Sequence, residues 1–395
     1  MHFVNQPGAM SRPDYQDGSI VNLMASLILG LGGVPHGYAP LRELKPERLQ
    51  RYRNIVLLVI DGLGHQYLTR AGAGGTLHAH LQGRITSVFP TTTTTAITTF
   101  YTGLAPRQHG LTGWHTWFRE LGCVLKVLPT RPRYGGTSLG EAGIDVERLF
   151  DHEPVFDRLS ANSHVIAPQH IAHSDFNLAH RGRAEVCDYQ TLEQMFELVA
   201  GVVCTARERS YVYAYWPDLD RISHEHGSTS DEAHSHLAGI DAGFARFLDR
   251  ITGSDTLVVV TADHGIIDTA RERVINLESH PQLAETLVLP LCGEPRVAYC
   301  YVHPDRRQDF EHYVSQELAP YATLRSSREL VVRNYFGPGV SHPRLYERIG
   351  DYTLIMKDNF VIKDWLLDEQ RYSQVGVHGG LSEQEMYVPL VVASC

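Results

Sequence analysis

Asn54-Ile-Val-Leu-Leu-Val-Ile60 is an unbroken apolar, β-rich run that stops at Asp61-Gly62. Continuous hydrophobicity of this length predicts a central strand of a parallel sheet, covered on both faces. Tyr211-Val-Tyr-Ala-Tyr215 and Thr256-Leu-Val-Val-Val260 have the same form, and Ser163-His-Val-Ile-Ala167 is a plausible fourth strand. From Asp231 to Ile251, residues Leu237, Ile240, Phe244, Phe247 and Leu248 fall on one helical face, which predicts the crossover helix that parallel strands need. Near the start, Ser19 is expected to cap a helix through Val21, Met24, Leu27, Ile28 and Leu31, stopped by Gly32, Gly33 and Pro35. The pattern as a whole predicts an α/β fold with a mostly parallel central sheet and helices on both faces.

Two stretches break the alternation. Residues 118–160 are rich in Pro, Gly and Arg around Thr130-Arg-Pro-Arg-Tyr-Gly-Gly136 and are expected to pass over the sheet edge. Across 295–370, strand-like Val297–Val302, helical Asp309–Leu318 and strand-like Tyr352–Met356 predict a small α/β insertion within a single catalytic domain of residues 1–395.

Composition narrows the function. A net charge of −10 lacks the basic excess that phosphate-backbone binding requires, so sequence-specific nucleic acid is not an expected partner. The few lysines (45, 126, 357 and 363) and the arginines scatter along the chain, and no polybasic membrane patch is expected. Six cysteines without a Cys-x-x-Cys pair exclude a zinc ribbon or a thioredoxin-like motif. Met1–Tyr15 shows no basic-then-apolar leader pattern, so the expectation is a cytoplasmic protein that is not held in a membrane, its oligomeric state open. The unusual feature is 22 histidines, the commonest ligands of transition metals.

All three strong strands end in acids: Asp61, then Asp218 and Asp220, then Asp263. Ligands of open α/β sheets bind beyond the carboxyl ends of the strands, so these acids point to one crevice. Asp220 and His224 lie four residues apart and share a helical face, whereas the four-residue partner of Asp218 is Ile222, which binds no metal. Asp263-His264-Gly265 follows a buried strand directly, and Gly376-Val-His378-Gly379-Gly380 sets a histidine among glycines. Each motif alone also reads as a capped turn. Together, three aspartates and three histidines are the donors that a pair of divalent cations prefers, zinc first and manganese second. Two such cations bring four positive charges against three carboxylates, which leaves room for one alkoxide and an anionic phosphoryl group. Thr91–Thr95 ahead of a helix ending near Gly103 supplies the hydroxyl, although local physics does not say which threonine attacks.

Val59-Ile-Asp61-Gly62, Phe89-Pro-Thr-Thr-Thr93, Thr102-Gly-Leu-Ala-Pro106-Arg-Gln-His109-Gly110, Asp220-x3-His224-x2-Gly227, Thr261-Ala-Asp263-His264-Gly265 and Val377-His378-Gly379 resemble, in order, the motif series of the type I phosphodiesterase/nucleotide pyrophosphatase family of the alkaline phosphatase superfamily. The resemblance implies an alkaline-phosphatase-like fold and a hydrolase of phosphodiester or pyrophosphate bonds that works through a phosphothreonine. It implies one zinc on Asp61, Thr93, Asp263 and His264, a second on Asp220, His224 and His378, and Thr93 as nucleophile. It also places Tyr215 near the substrate, a small phosphorylated molecule with nucleotides among the candidates. The asparagine expected three residues after the nucleophile is Ala96 here, and another donor is expected to serve in its place. Phosphomonoesterase or phosphonate hydrolase chemistry, or a non-catalytic binding module, are the competing readings.

Overall fold

A computed structural model describes residues 10–367 and 369–395; the first nine residues of the Met1–Tyr15 reading lie outside it. The long apolar runs form strands Asn54–Ile60, Ser210–Trp216 and Thr256–Thr261, every residue of them buried. They sit side by side and parallel, with Asn54–Ile60 between the other two. Asn162–Pro168 and Glu185–Tyr189 extend the parallel array beyond Ser210–Trp216. On the other side, Tyr387–Ser394 runs antiparallel to Thr256–Thr261 and Leu81–Thr86 pairs antiparallel with it, which completes seven strands. Helices flank this sheet. Asp231–Arg250 makes the expected crossover with Leu237, Ile240, Phe244 and Phe247 buried, and Ile20–Gly30 packs beside Thr93–Thr102. Ser19 begins the first helix, its N–H and hydroxyl both donating to the Asn22 carboxamide at 3.1 and 2.6 Å.

The two irregular stretches form one structure. A second seven-stranded sheet, antiparallel throughout, runs in the order Ala322–Ser326, Tyr352–Met356, Val297–Cys300, Cys292–Glu294, His115–Phe118, Cys123–Lys126, Arg131–Pro132. Part of the segment expected to skirt the sheet edge thus shares a sheet with part of the segment expected to be an insertion, the two joined through the Gly293–His115 pair. Gly293 and Gly113 permit the junction: a Cβ on Gly113 would lie 2.7 Å from the Gly293 backbone, and Gly293 has φ +79°. Among the described residues no helix is long and apolar enough to cross a membrane.

Much of the histidine excess is structural. His180 is buried against Phe150 and Phe176, the half-buried His152 stacks on Phe150, and His109 is fully buried nearby. His180 Nδ1 donates to the Phe176 carbonyl at 2.7 Å, which leaves its Nε2 to accept from His152 Nε2 at 2.7 Å. In this arrangement the accepting His180 ring is neutral. Burial lowers His180 to about 4 and pushes His109 and His152 well below the ordinary value. The unfolded chain binds these protons near pH 6.5 and the folded chain only at much lower pH, so this contribution to stability is complete above pH 6.5 and is lost progressively as pH falls below it. The expected slope is about 1.4 kcal/mol per pH unit for each titrating histidine. Urea midpoints of chelated protein at pH 7, 6 and 5 test this; a flat profile down to pH 5, above the carboxylate range, would contradict it.

Candidate active site

Asp61 follows the central strand, and its N–H donates to the Trp216 carbonyl at 2.9 Å. One carboxylate oxygen accepts from the Tyr215 hydroxyl, while the other lies 3.3 Å from His264 Nε2. Asp263 extends the neighbouring strand. Its Oδ1 accepts from the N–H groups of Gly62 (3.1 Å) and His264 (3.0 Å), and its Oδ2 faces His264 Nε2 at 3.3 Å. Gly62, with φ +75° and no side chain, lets the Asp220 backbone approach: a Cβ there would meet Asp220 Cα at 3.2 Å.

Asp220 and His224 sit on the helix Asp218–His226, with Asp220 Oδ2 and His224 Nε2 3.1 Å apart. His224 Nδ1 lies 2.7 Å from the Gly376 carbonyl, which orients the ring so that Nε2 faces the site. His378 arrives from the glycine-flanked loop. Its ring stacks on His264 at 3.7 Å between centroids, and its Nε2 is 3.9 Å from Asp220 Oδ1.

The threonine run divides its labour. Thr91 Oγ1 donates to the Gly380 carbonyl at 2.8 Å, fastening the His378 loop, and Thr92 Oγ1 donates to Glu294 at 2.7 Å. Thr93 opens the helix Thr93–Thr102 with its Oγ1 3.1 Å from His264 Nε2, and Thr94 and Thr95 are buried. Only Thr93 thus joins the Asp–His cluster through its hydroxyl, at a helix N-terminus where the first N–H groups have no partner within the helix.

All seven residues that the resemblance assigned to metals therefore converge. Two triads, Asp61–Asp263–His264 and Asp220–His264–His378, each bring donor atoms within 4.8 Å of one another, with His264 common to both. Burial, followed by the charges of Asp263 and Asp220, pushes Asp61 well above the usual carboxylate range. Asp61 Oδ1, Asp220 Oδ1 and Asp263 Oδ2 are buried without a hydrogen-bond donor. Buried carboxylate oxygens in this state suit divalent cations, so the residues fit the metals they imply.

The Tyr215 hydroxyl donates to Asp61, and Tyr215 is not among the residues lining the cavity. Ala96 is fully buried in the main core, and its methyl group is not among the groups lining the cavity. The cavity, of about 480 Å³, instead brings Trp114, Glu294, Lys363 and Gln374 next to Thr93, Asp220, His224 and His378. Burial pushes Glu294 up to about 7 despite the hydrogen bonds from Thr92 and the Trp114 N–H. None of these four belongs to a periodic run or a repeated spacing; only Trp114, four residues beyond Gly110, and Gln374, two residues before Gly376, lie near motifs that could have drawn attention to them.

The family model described as type I phosphodiesterase/nucleotide pyrophosphatase matches residues 55–381. Murine ectonucleotide pyrophosphatase/phosphodiesterase 5, solved in an inactive form in complex with AMP, is 17% identical, with 85% of this chain and 87% of that chain covered and a TM-score of 0.65. The human protein of the same name is 16% identical over 86% of this chain and 87% of its own, again with a TM-score of 0.65. Phosphonoacetate hydrolase from Sinorhizobium meliloti, in complex with phosphonoformate, is 18% identical over 91% of this chain and 92% of its own, with a TM-score of 0.62. No curated protein sequence matches the chain.

Proposed function

The chain belongs to the type I phosphodiesterase/nucleotide pyrophosphatase family, and from that premise we propose that it is a metal-dependent hydrolase of phosphodiester or pyrophosphate bonds that acts through a phosphothreonine at Thr93. The observation that carries this reading is the Thr93 hydroxyl, 3.1 Å from His264 Nε2 at a helix N-terminus and beside the Asp–His cluster. Asp61, Thr93, Asp263 and His264 would hold one divalent ion, and Asp220, His224 and His378 the other, with zinc favoured by the mixed nitrogen and oxygen donors and manganese the second choice. When bound, the ions neutralise phosphoryl charge and lower the pKa of the attacking hydroxyl.

The chain's own residues do the rest. Thr93 Oγ attacks phosphorus in line, forming the Thr93–phosphorus bond as the bond to the leaving oxygen breaks. Water then attacks the phosphothreonine, which releases phosphate or a phosphomonoester and restores the hydroxyl. The N–H groups opening the Thr93 helix receive a non-bridging phosphoryl oxygen. Tyr215 and the Gly62 N–H hold Asp61 and Asp263 in place. We place the enzyme in the cytoplasm, a setting that suits its six free cysteines, with a small phosphorylated substrate of which nucleotides are candidates.

Metal analysis and a substrate panel test the proposal. About two divalent ions per chain are expected, with turnover of a bis-aryl phosphate abolished by chelation and restored by zinc or manganese. The same enzyme should prefer the bis-aryl phosphate to a mono-aryl phosphate and to an aryl phosphonate ester. A strong preference for the monoester would replace this reading with a phosphomonoesterase.

A further inference from the structure

One wall of the active-site cavity carries three cations, Lys126, Arg133 and Lys363, and two of them are committed. Arg133 forms an ion pair with Glu369 at 2.9 Å and also donates to the carbonyls of Leu291 and Asp364. Lys126 lies 3.8 Å from the same Glu369. Lys363 is different. It is only 7% exposed, and among the described residues no carboxylate lies within ion-pair distance of its ammonium. Its polar partners are neutral and distant, the Tyr372 carbonyl and the Gln374 carboxamide, both at 3.4 Å. The rings of Tyr372 and Trp365 flank it at 4.6 and 5.5 Å from their centroids.

A buried ammonium held only by weak acceptors and ring faces keeps much of its capacity for a charged partner. Burial lowers its pKa to about 8, so it is mostly protonated at neutral pH. Its position is also defined. The Gln374 carboxamide that touches Lys363 lies 3.1 Å from His224 Nδ1, so a single amide separates the cation from the Asp220–His224–His378 ligand group. A phosphoryl group seated at Thr93 therefore shares one cavity with this cation.

We propose, on the reading of Thr93 as nucleophile, that Lys363 binds a second anionic group of the substrate, a carboxylate or a phosphate joined to the reacting phosphorus by a short linker. The Tyr372 and Trp365 rings flank the ammonium, and the burial of Lys363 itself strengthens a charge-assisted hydrogen bond. The committed state of Lys126 and Arg133 makes Lys363 the discriminating group on this wall.

Calorimetric titration of the metal-reconstituted protein tests the proposal without requiring turnover. The ligands are alkylphosphonates of one to four carbons, the same chains ending in a carboxylate, and the same chains ending in a second phosphonate. In the wild type, one doubly anionic series should bind at least about 10-fold tighter than the plain alkylphosphonate of equal length, the size expected of one charge-assisted hydrogen bond. The better series identifies the terminal group, and the best chain length gives the spacing. Lys363→Met should bring that ratio close to one, and Lys363→Arg should restore most of it. Equal binding of singly and doubly anionic ligands by the wild type would overturn the proposal. So would a Lys363→Met protein that binds every ligand less tightly at an unchanged ratio, because that is the result of a purely structural lysine. Absence of phosphoester turnover with the ratio intact would instead count against the hydrolase reading alone.

Discussion

Thr93→Ala should lower turnover of a bis-aryl phosphate by about 10³- to 10⁶-fold, the range seen when a nucleophile is removed from an otherwise intact site. Thr93 Oγ1 is the hydroxyl that meets His264, and no neighbouring residue offers a second one in the same place: Thr92 is bonded to Glu294, and Thr94 and Thr95 face the core. Loss of one hydrogen bond near the surface of the cluster costs only about 1 kcal/mol of stability, so the variant should fold. It should still bind divalent ions through its aspartates and histidines. Thr92→Ala is the control and should lose far less activity, since its hydroxyl holds Glu294 and does not point at the ligands. Turnover within a factor of ten of wild type in a metal-loaded Thr93→Ala protein would remove Thr93 and the phosphothreonine from the mechanism.

The largest expected effect on stability belongs to Glu385→Ala, at about 3–5 kcal/mol, the usual cost of stranding one member of a buried ion pair. Arg296 and Glu385 are 1% and 0% exposed and meet through two hydrogen bonds of 3.1 and 2.9 Å. Burial alone would raise the Glu385 carboxyl, but Arg296, with help from Ser382 and the Gly380 N–H, holds it below the ordinary range. Removing it leaves the guanidinium charged and buried with one carbonyl at 2.6 Å, that of Phe360, and a far weaker one at 3.5 Å, that of Lys357. The effect should reach the site as well, because Glu385 accepts from Gly380, two residues from His378, and its own carbonyl accepts from Gly265, next to His264. Urea denaturation with and without divalent metal measures both consequences. A loss below about 1 kcal/mol would show that the pair is dispensable, and the double variant Arg296→Met/Glu385→Leu should recover much of the loss by removing both charges.

The amino-acid sequence by itself determined the features that depend on near neighbours. Unbroken apolar runs such as Asn54–Ile60 can be buried on both faces only as central strands, and acids just beyond them fall at the rim of the sheet wherever the strand is placed. The Asp220–His224 spacing sets both groups on one helical face for the same local reason. Tertiary structure alone decided what depends on segments far apart in the chain. It joined His115–Phe118 to Cys292–Glu294 in a second sheet, since antiparallel pairing is a choice of partner and the pattern of either strand is silent about the other. It brought the hydroxyl of Thr93, the threonine that the motif resemblance names, to His264, because the direction of the helix and the position of His264 are independent of local composition. The Tyr215 hydroxyl likewise meets Asp61 because the two strands lie side by side in register. Lys363, at the end of a short strand paired with Val274–Asn276, and Glu294, in the second sheet, became cavity residues only when distant segments met around Thr93 and Asp220, for a lone charged side chain carries no periodicity, and its meaning is set by what it is buried against.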